Sequence, residues 1–277
     1  MVAVPVLMYH ALEAPGHASG IDDPGEGVYL LQAEEFRAQM DFLKREGYHT
    51  LLLDEVLSEN LPFGKAVVLT FDDGHDSNYH LALPILQEYG FRAEFFITTD
   101  WIGTPHYLTM AQVRALGRGG MGIGSHAASH RLLSDLPAVE QERELGHSKR
   151  VLEEILDREI LFFSAPGGRF DAGSAARAEK AGYRGFCTSR PFLWHRRGEG
   201  TIPRFAVRGG DTALVKDVVR QRGRTLLEVG VTYQLLNGVK RLMGNGLYNR
   251  LRSMALAVRP TLATGEAQSN PEGTGAE

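Results

Sequence analysis

Leu69-Thr70-Phe71-Asp72-Asp73-Gly74 is the stretch on which the reading of this chain turns. The apolar run ahead of it, Ala66-Val67-Val68-Leu69, follows Gly64 and reads as a buried strand with β-branched residues at its centre. Two adjacent carboxylates stand where that strand ends, and Gly74 lets the backbone turn sharply behind them. Like charges side by side repel unless a cation or a shared proton relieves them. Taken alone, the segment is either a solvated Asp-Asp-Gly turn, which Asp and Gly build readily, or half of a cation site. The surrounding chain has to separate the two.

On either side of this stretch the chain alternates between strand and helix patterns. Residues 2–8 form a short apolar run, a first strand ending at Tyr9-His10, and the Gly, Pro and Asp of 14–27 read as a loop. Residues 31–46 place Phe36, Met40 and Leu43 at helical spacing, with Gly47 as the stop. Residues 50–53 are strand-like, and Asp54 is placed to cap a short helix. A helix over 78–89 closes at Gly90, and a strand over 93–97 follows. The pattern continues as a helix over 109–116 and a strand over 121–125 ending at His126. The longest helix, 137–156, has an apolar stripe of Val139, Leu145, Val151, Leu152 and Ile155. A strand over 160–164 leads into Ala165-Pro166-Gly167-Gly168, then come a helix over 174–181 and a strand over 183–188. Units of this size predict a parallel sheet, either an open doubly wound sheet or a barrel.

Composition narrows the classes. The chain has 277 residues, 43% hydrophobic and 23% charged, enough for a sizeable core, and its net charge of -4 argues against nucleic acid as a partner. The single cysteine, Cys187, excludes an internal disulfide and a multi-cysteine zinc site, and its setting between Phe186 and Thr188 is that of a small core residue. The N-terminal residues lack a charged leader, a long apolar region and a cleavage site, and no run approaches the roughly 20 apolar residues of a membrane span. The expectation is a cytoplasmic protein, or one peripheral at the membrane. From Asp211 onward the pattern is helical, and residues 216–259 hold nine bases against two acids, Asp217 and Glu228. That segment is either a basic appendage that touches a membrane surface or a polyanion, or the solvated face of packed helices. Residues 260–277 have almost nothing to bury and are expected to be disordered.

The second constellation is Gly124-Ser125-His126-Ala127-Ala128-Ser129-His130. Two histidines four apart at a strand end can face one point if the chain turns into a helical loop. Joined by an aspartate from another strand end, they make an Asp-His-His site with open positions, the arrangement a catalytic divalent metal needs.

Residues 70–74 and 125–130 resemble the first two motifs of the polysaccharide deacetylases, the NodB-homology group of carbohydrate esterase family 4. The helix carrying Glu144, Lys149 and Glu153 resembles that family too. Pro5-Val6-Leu7-Met8-Tyr9-His10 is similar to the N-terminal strand of its exopolysaccharide N-deacetylase branch. The resemblance covers residues 1–210 and implies an irregular (β/α)7-type barrel of parallel strands, followed by a basic helical extension over 211–259. It implies a metal-dependent hydrolase that removes N-acetyl groups from N-acetylhexosamine units of a polysaccharide or lipid-linked glycan. Zinc, cobalt or nickel would be the metal.

Carried over residue by residue, the family pattern makes Asp72 the general base and Asp73, His126 and His130 the metal ligands. No late histidine matches the family's usual acid, because His195 is the last one. The exopolysaccharide branch resembles a circular permutation that puts the acid on the N-terminal strand, which matches His10; His195 is the reserve candidate. The third motif departs from the family. Ser164, in Phe163-Ser164-Ala165-Pro166-Gly167-Gly168, stands where relatives have an arginine that restrains the base, and Arg169 is not at the matching position. Members of the exopolysaccharide branch also lack that arginine. The reading therefore leaves Asp72 tuned by hydrogen bonds or the metal alone. Other readings are an amidohydrolase of the same scaffold acting on a non-sugar C–N bond, and a non-catalytic carbohydrate-binding relative. His75, Asp76 and Tyr79 could line the mouth, while His17, His49, His80, His106 and His147 are taken as surface residues.

Overall fold

The computed structural model describes residues 3–57, 64–169, 172–195 and 200–243. Its organising layer is a ladder of parallel strands: β1 (Val6–Tyr9), β2 (Ala66–Phe71), β3 (Glu94–Ile97), β4 (Gly122–Ser125), β5 (Phe162–Ser164), β6 (Gly185–Cys187), β7 (Thr201–Ile202) and β8 (Phe205–Ala206). In space they run β7-β6-β5-β4-β3-β2-β1-β8, and the short strand His49–Thr50 adds onto β2. All of these pairs are parallel. Strands covered on both faces are apolar along their length rather than alternating, and β1, β3 and β4 are buried at every residue.

The two edge strands are the two halves of one segment. β7 pairs with β6 at one edge of the sheet and β8 pairs with β1 at the other, and only Pro203 and Arg204 separate them. The chain itself therefore stitches the curled sheet into an irregular barrel. Counting β7 and β8 as one split strand, the described residues form seven staves, as the resemblance implies. Pro203 suits the crossing because it has no N–H that would need a ladder partner.

The barrel interior is filled by Val6, Val68, Phe96, Phe162, Cys187 and Ile202, with Trp194 beneath them. The ring of Phe96 takes up space that a side chain on β4 would need: a Cβ on Gly124 would lie 2.4 Å from it. Cys187 is buried among these side chains, as a core residue should be.

Helices cover the outside. α1 (Ala33–Arg45) buries Phe36, Met40, Phe42 and Leu43, and places Glu34 and Glu35 in its first turn and Lys44 and Arg45 in its last, complementing its dipole. α2 (Leu83–Tyr89) ends at left-handed Gly90 and is preceded by a π-helical turn, Asn78–Ala82, so the expected single helix over 78–89 is two elements. α3 (Met110–Arg118) opens on a Thr109–Gln112 capping box. α4 (Ala138–Leu156) buries Gln141, Glu144, Leu145, Ser148, Leu152 and Ile155. Val139 does not belong to that stripe: it sits 78% exposed in the first turn, before the helix reaches the sheet. Asp54 lies inside the short helix Leu53–Leu57 rather than capping it.

α5 (Ala172–Lys180) packs on α4. α6 (Thr212–Val219) turns Val215, Val218 and Val219 into the main core, and the Tyr48 hydroxyl donates to the Val219 carbonyl at 3.1 Å. α7 (Gly223–Met243) packs Leu226 and Val229 against the same core. Among the described residues no helix is long and apolar enough to cross a membrane. The expected disordered tail, 260–277, lies outside the described residues.

Candidate active site

Register brings the chemistry to one end of the barrel. Tyr9 pairs with Phe71, Ile97 with Ser125, Ser125 with Phe163, and Ser164 with Cys187. The residues that follow these positions, His10, Asp72, Asp73 and His126, therefore emerge together at the C-terminal ends of the strands. Parallel α/β barrels build their sites there.

Asp73, His126 and His130 each bring one ligand atom into a cluster whose members lie within 4.8 Å of one another. Asp73 Oδ1 stands 3.2 Å from both His126 Nε2 and His130 Nε2, yet this buried oxygen accepts no hydrogen bond. The tautomer of His126 explains the geometry. Its Nδ1 lies 2.9 Å from the Ser164 carbonyl, which can only accept, so the neutral ring carries its proton there and turns the Nε2 lone pair toward Asp73. Imidazole and carboxylate lone pairs that converge in this way suit a divalent cation, and a second-shell carbonyl that fixes the ligand tautomer is a common companion of such sites. Burial raises the Asp73 carboxyl pKa, but His126, His130 and His75 outweigh it and hold it well below the usual range. Burial lowers His130, and the neighbouring Asp73 more than reverses this.

Backbone strain accompanies the cluster. Asp73, Ala127 and His130 all have positive φ, at 75°, 66° and 62°. Non-glycine residues hold this conformation only where the surroundings over-determine it, at a cost of roughly 1–3 kcal/mol each. Glu144 supplies much of that restraint for the histidine loop. Buried on α4, it accepts from the Ala128 and Ser129 N–H groups at 3.0 and 2.9 Å and from the Ser129 hydroxyl at 2.6 Å. The Thr99 and Asp100 N–H groups donate to the Ala127 and Ala128 carbonyls from the other side.

Asp72 has a different partner set, and here the sequence reading needs correction. A cation does lie beside it: Arg204, from the crossing between β7 and β8, is completely buried. Its Nη1 and Nη2 donate to Asp72 Oδ1 and Oδ2, both at 2.7 Å. The other N–H groups reach Thr70 Oγ1 at 3.1 Å, Ser164 Oγ at 2.7 Å and the Thr188 carbonyl at 3.2 Å, so all five donors of the guanidinium are used. Ser164 Oγ in turn donates to Asp72 Oδ2 at 3.0 Å. Burial raises the Asp72 carboxyl, and Arg204 and His126 overcome this to leave it lowered.

The arginine missing from position 164 is thus supplied from position 204, with serine making room for it. One signal could have revealed it: Arg204 stands in an otherwise apolar strand segment, Ile202-Pro203-Arg204-Phe205-Ala206-Val207, where an unpaired charge would be costly.

His10 lies at the end of β1, facing the same cavity. Tyr29 stacks on its ring at 4.7 Å, and Asn78 Nδ2 donates to its carbonyl at 2.8 Å. Burial lowers its pKa against the opposing pull of Asp73 and Asp72. The cavity has a volume of about 270 Å³ and is lined on the barrel side by His10, Asp72, Asp73, His126 and His130. Ile21, Glu26 and Tyr29 of the 14–30 loop close over it. His75 is buried beside the cluster, its Nε2 3.7 Å from Asp73 Oδ2 and its ring stacked on Tyr107.

His195 is elsewhere. It is exposed, on a short strand that pairs with Ala3, ahead of β1 and so at the opposite end of the barrel. Trp194 is buried in the interior cluster, and Phe192 packs against Tyr233, which leaves neither facing the cavity.

The comparisons with known proteins agree on the family. Residues 62–186 match the polysaccharide deacetylase family profile. A Bacillus subtilis (strain 168) protein called YxkH, assigned by its name to the polysaccharide deacetylases, is 32% identical over 192 residues, covering 68% of this chain and 65% of that protein. The chain therefore spans just under two thirds of that relative's length. A peptidoglycan-N-acetylglucosamine deacetylase of Bacillus cereus is 28% identical over 169 residues, 58% of this chain and 77% of the relative. Among solved structures, the Streptococcus pyogenes deacetylase PplD in complex with acetate superposes with a TM-score of 0.69 at 25% identity, covering 79% of this chain and 97% of that one. Residues 62–186 thus carry a polysaccharide deacetylase domain, in keeping with the barrel, the paired motifs and these relatives.

Proposed function

We propose that this protein is a metal-dependent hydrolase that removes N-acetyl groups from N-acetylhexosamine units of a polysaccharide or lipid-linked glycan, releasing acetate. The observation that carries the reading is the division of labour within the Asp pair. Asp73 faces two imidazole Nε2 atoms, while Asp72, one residue away, is gripped by Arg204 and Ser164.

Asp73, His126 and His130 would hold the divalent metal, with zinc the first expectation and cobalt or nickel the alternatives. When bound, such an ion lowers the pKa of water from 15.7 toward about 7 and polarises a carbonyl. The chain's own residues do the rest. Asp72, ionised and fixed in orientation by two parallel guanidinium bonds, takes a proton from the attacking water. His10 returns a proton to the amine nitrogen as the C–N bond breaks.

The substrate class rests on two supports. The cavity of about 270 Å³ suits one acetamido sugar ring, with Tyr29 offering a flat aromatic surface at its edge. The Bacillus cereus relative is named a peptidoglycan-N-acetylglucosamine deacetylase. A non-catalytic reading would gain from Ser164 and from the absence of a late histidine; Arg204 takes up the place left at Ser164 and His10 lines the cavity, which favours an active enzyme. The test is acetate release from N-acetylglucosamine oligomers by protein reloaded with zinc or cobalt. Release that a chelator abolishes is expected. No release from any oligomer, with metal bound at one equivalent, would overturn the reading.

A further inference from the structure

Asp73 turns one oxygen to the ligand cluster, and its other oxygen faces a side chain that the reaction does not use. Oδ1 stands 3.2 Å from both His126 Nε2 and His130 Nε2, while Oδ2 faces His75 Nε2 at 3.7 Å. His75 is buried, and it stands outside the ligand cluster, which among the described residues consists of Asp73, His126 and His130. The local fold sets this placement. Asp73 and Gly74 have φ of 75° and 84°, and the Gly74 N–H donates to the Asp72 carbonyl at 3.0 Å, so the backbone turns tightly just before His75. Residues 106–108 lace the turn in place. The Leu108 N–H donates to the Gly74 carbonyl and the Asp76 N–H to the His106 carbonyl, both at 2.9 Å, and His75 and Tyr107 form an antiparallel bridge between them. The Tyr107 ring stacks on His75 at 4.8 Å and packs on Trp101 at 4.7 Å, and Trp101 meets His130 at 4.8 Å. His75 and the ligand His130 therefore stand at the two ends of one aromatic row.

A neutral imidazole has one N–H to place. His75 Nδ1 is buried with no hydrogen-bond partner among the described residues, so a proton there would be a buried, unsatisfied donor. A proton on Nε2 points instead at a carboxylate oxygen, which can only accept. At 3.7 Å the contact is longer than a formed hydrogen bond. The ring thus acts as an N–H dipole aimed at a buried charge, where screening is weak. A carboxylate that gives one oxygen to a cation can swing the other unless a partner fixes it, and losing such a partner typically costs about 10–100-fold in metal affinity.

We propose that His75 is a positioning residue: its Nε2–H fixes Oδ2 of Asp73 and so keeps Oδ1 turned toward His126 and His130. This role rests on the metal reading of the cluster, and the test separates the two. The full chain, stripped of metal, is titrated with zinc against a chromophoric chelator, and the visible absorption spectrum of the cobalt-loaded protein is recorded beside it. His75→Phe keeps the stack on Tyr107 and removes the donor; zinc binding about tenfold weaker and a shifted cobalt spectrum are expected. His75→Gln returns an N–H at similar reach and should bind zinc within about threefold of the wild type, with the wild-type cobalt spectrum. Should H75F fail to fold, H75N takes its place, since its shorter amide stops short of Oδ2, and the same loss of about tenfold is expected. Wild-type affinity and spectrum in the folded variant without the donor would overturn the proposal. Binding by H75Q as weak as that variant's would overturn it too, by tracing the loss to packing. A wild-type chain that takes up no zinc would overturn the metal reading and this role with it, a result distinct from normal wild-type binding with unaffected variants.

Discussion

Replacing Arg204 by methionine tests the most heavily built part of the site. Arg204 is fully buried, spends all five N–H donors, and places two of them on Asp72 at 2.7 Å. Breaking a buried ion pair from one side leaves a desolvated charge behind and costs about 3–5 kcal/mol. Removing both partners removes that residual charge, so D72N/R204M should recover most of the loss. Measured by urea unfolding, the four corners of the cycle should give a coupling of about 3 kcal/mol between positions 72 and 204. The variant R204K keeps the cation and loses the fork, and should fall between the wild type and R204M. The geometry allows a functional arm as well. The family resemblance implies an arginine at position 164, and methionine at 204 clears the volume, so S164R/R204M should regain acetate release over R204M. Additive stability losses in the cycle, together with full activity in R204M, would refute the argument that Arg204 holds the base.

Other perturbations reach separate parts of the structure. Glu144→Ala removes the acceptor for two N–H groups of the histidine loop; it should weaken metal binding about 10–100-fold by competition titration, and lower the unfolding midpoint of the apo protein as well, since those donors lose their partner. His10→Ala should lower acetate release about 10²–10⁴-fold while metal content stays at the wild-type level, because His10 lies outside the ligand cluster. Glu94 gives a pH signature away from the site. Fully buried, with the Leu53 N–H as its hydrogen-bond donor, it is pushed up from 4.5 to about 7 by burial. A carboxyl raised on folding stabilises the protein fully below pH 4.5, and that contribution is lost as pH rises through 7. The swing is about 3 kcal/mol. Glu94→Gln should therefore flatten the fall in stability between pH 5 and 8, as followed by urea unfolding.

The alternation of apolar runs with helical spacing was enough to read the parallel fold, because a strand buried on both faces leaves a local mark in the sequence. The Asp pair and the two histidines were legible for a related reason: Asp72, Asp73 and His126 follow directly on such strands, His130 lies in the loop just behind His126, and parallel register carries those strand ends to one rim. Arg204 was not legible. It reaches Asp72 across 132 positions, and the contact exists only because the chain crosses from one sheet edge to the other within two residues. A motif search that looks for the arginine near Ser164 cannot find a partner delivered by barrel closure. Val139 shows the opposite limit: its spacing fits the apolar stripe of α4, but the helix has not yet met the sheet at its first turn, and the residue stays in solvent. The π-helical turn at Asn78–Ala82 likewise has no signature in apolar spacing. It follows the tight turn after Gly74, and Asn78 within it reaches back to the His10 carbonyl.

The central claim is that Asp73 gives its charge to a metal that Asp72 does not bind. Metal content by mass spectrometry, read beside acetate release from N-acetylglucosamine oligomers, tests it in a single pair of variants. Asp73→Ala should lose both the metal and the activity, whereas Asp72→Asn should keep the metal and lose the activity. An Asp73→Ala protein that retains its metal and still releases acetate would contradict the account.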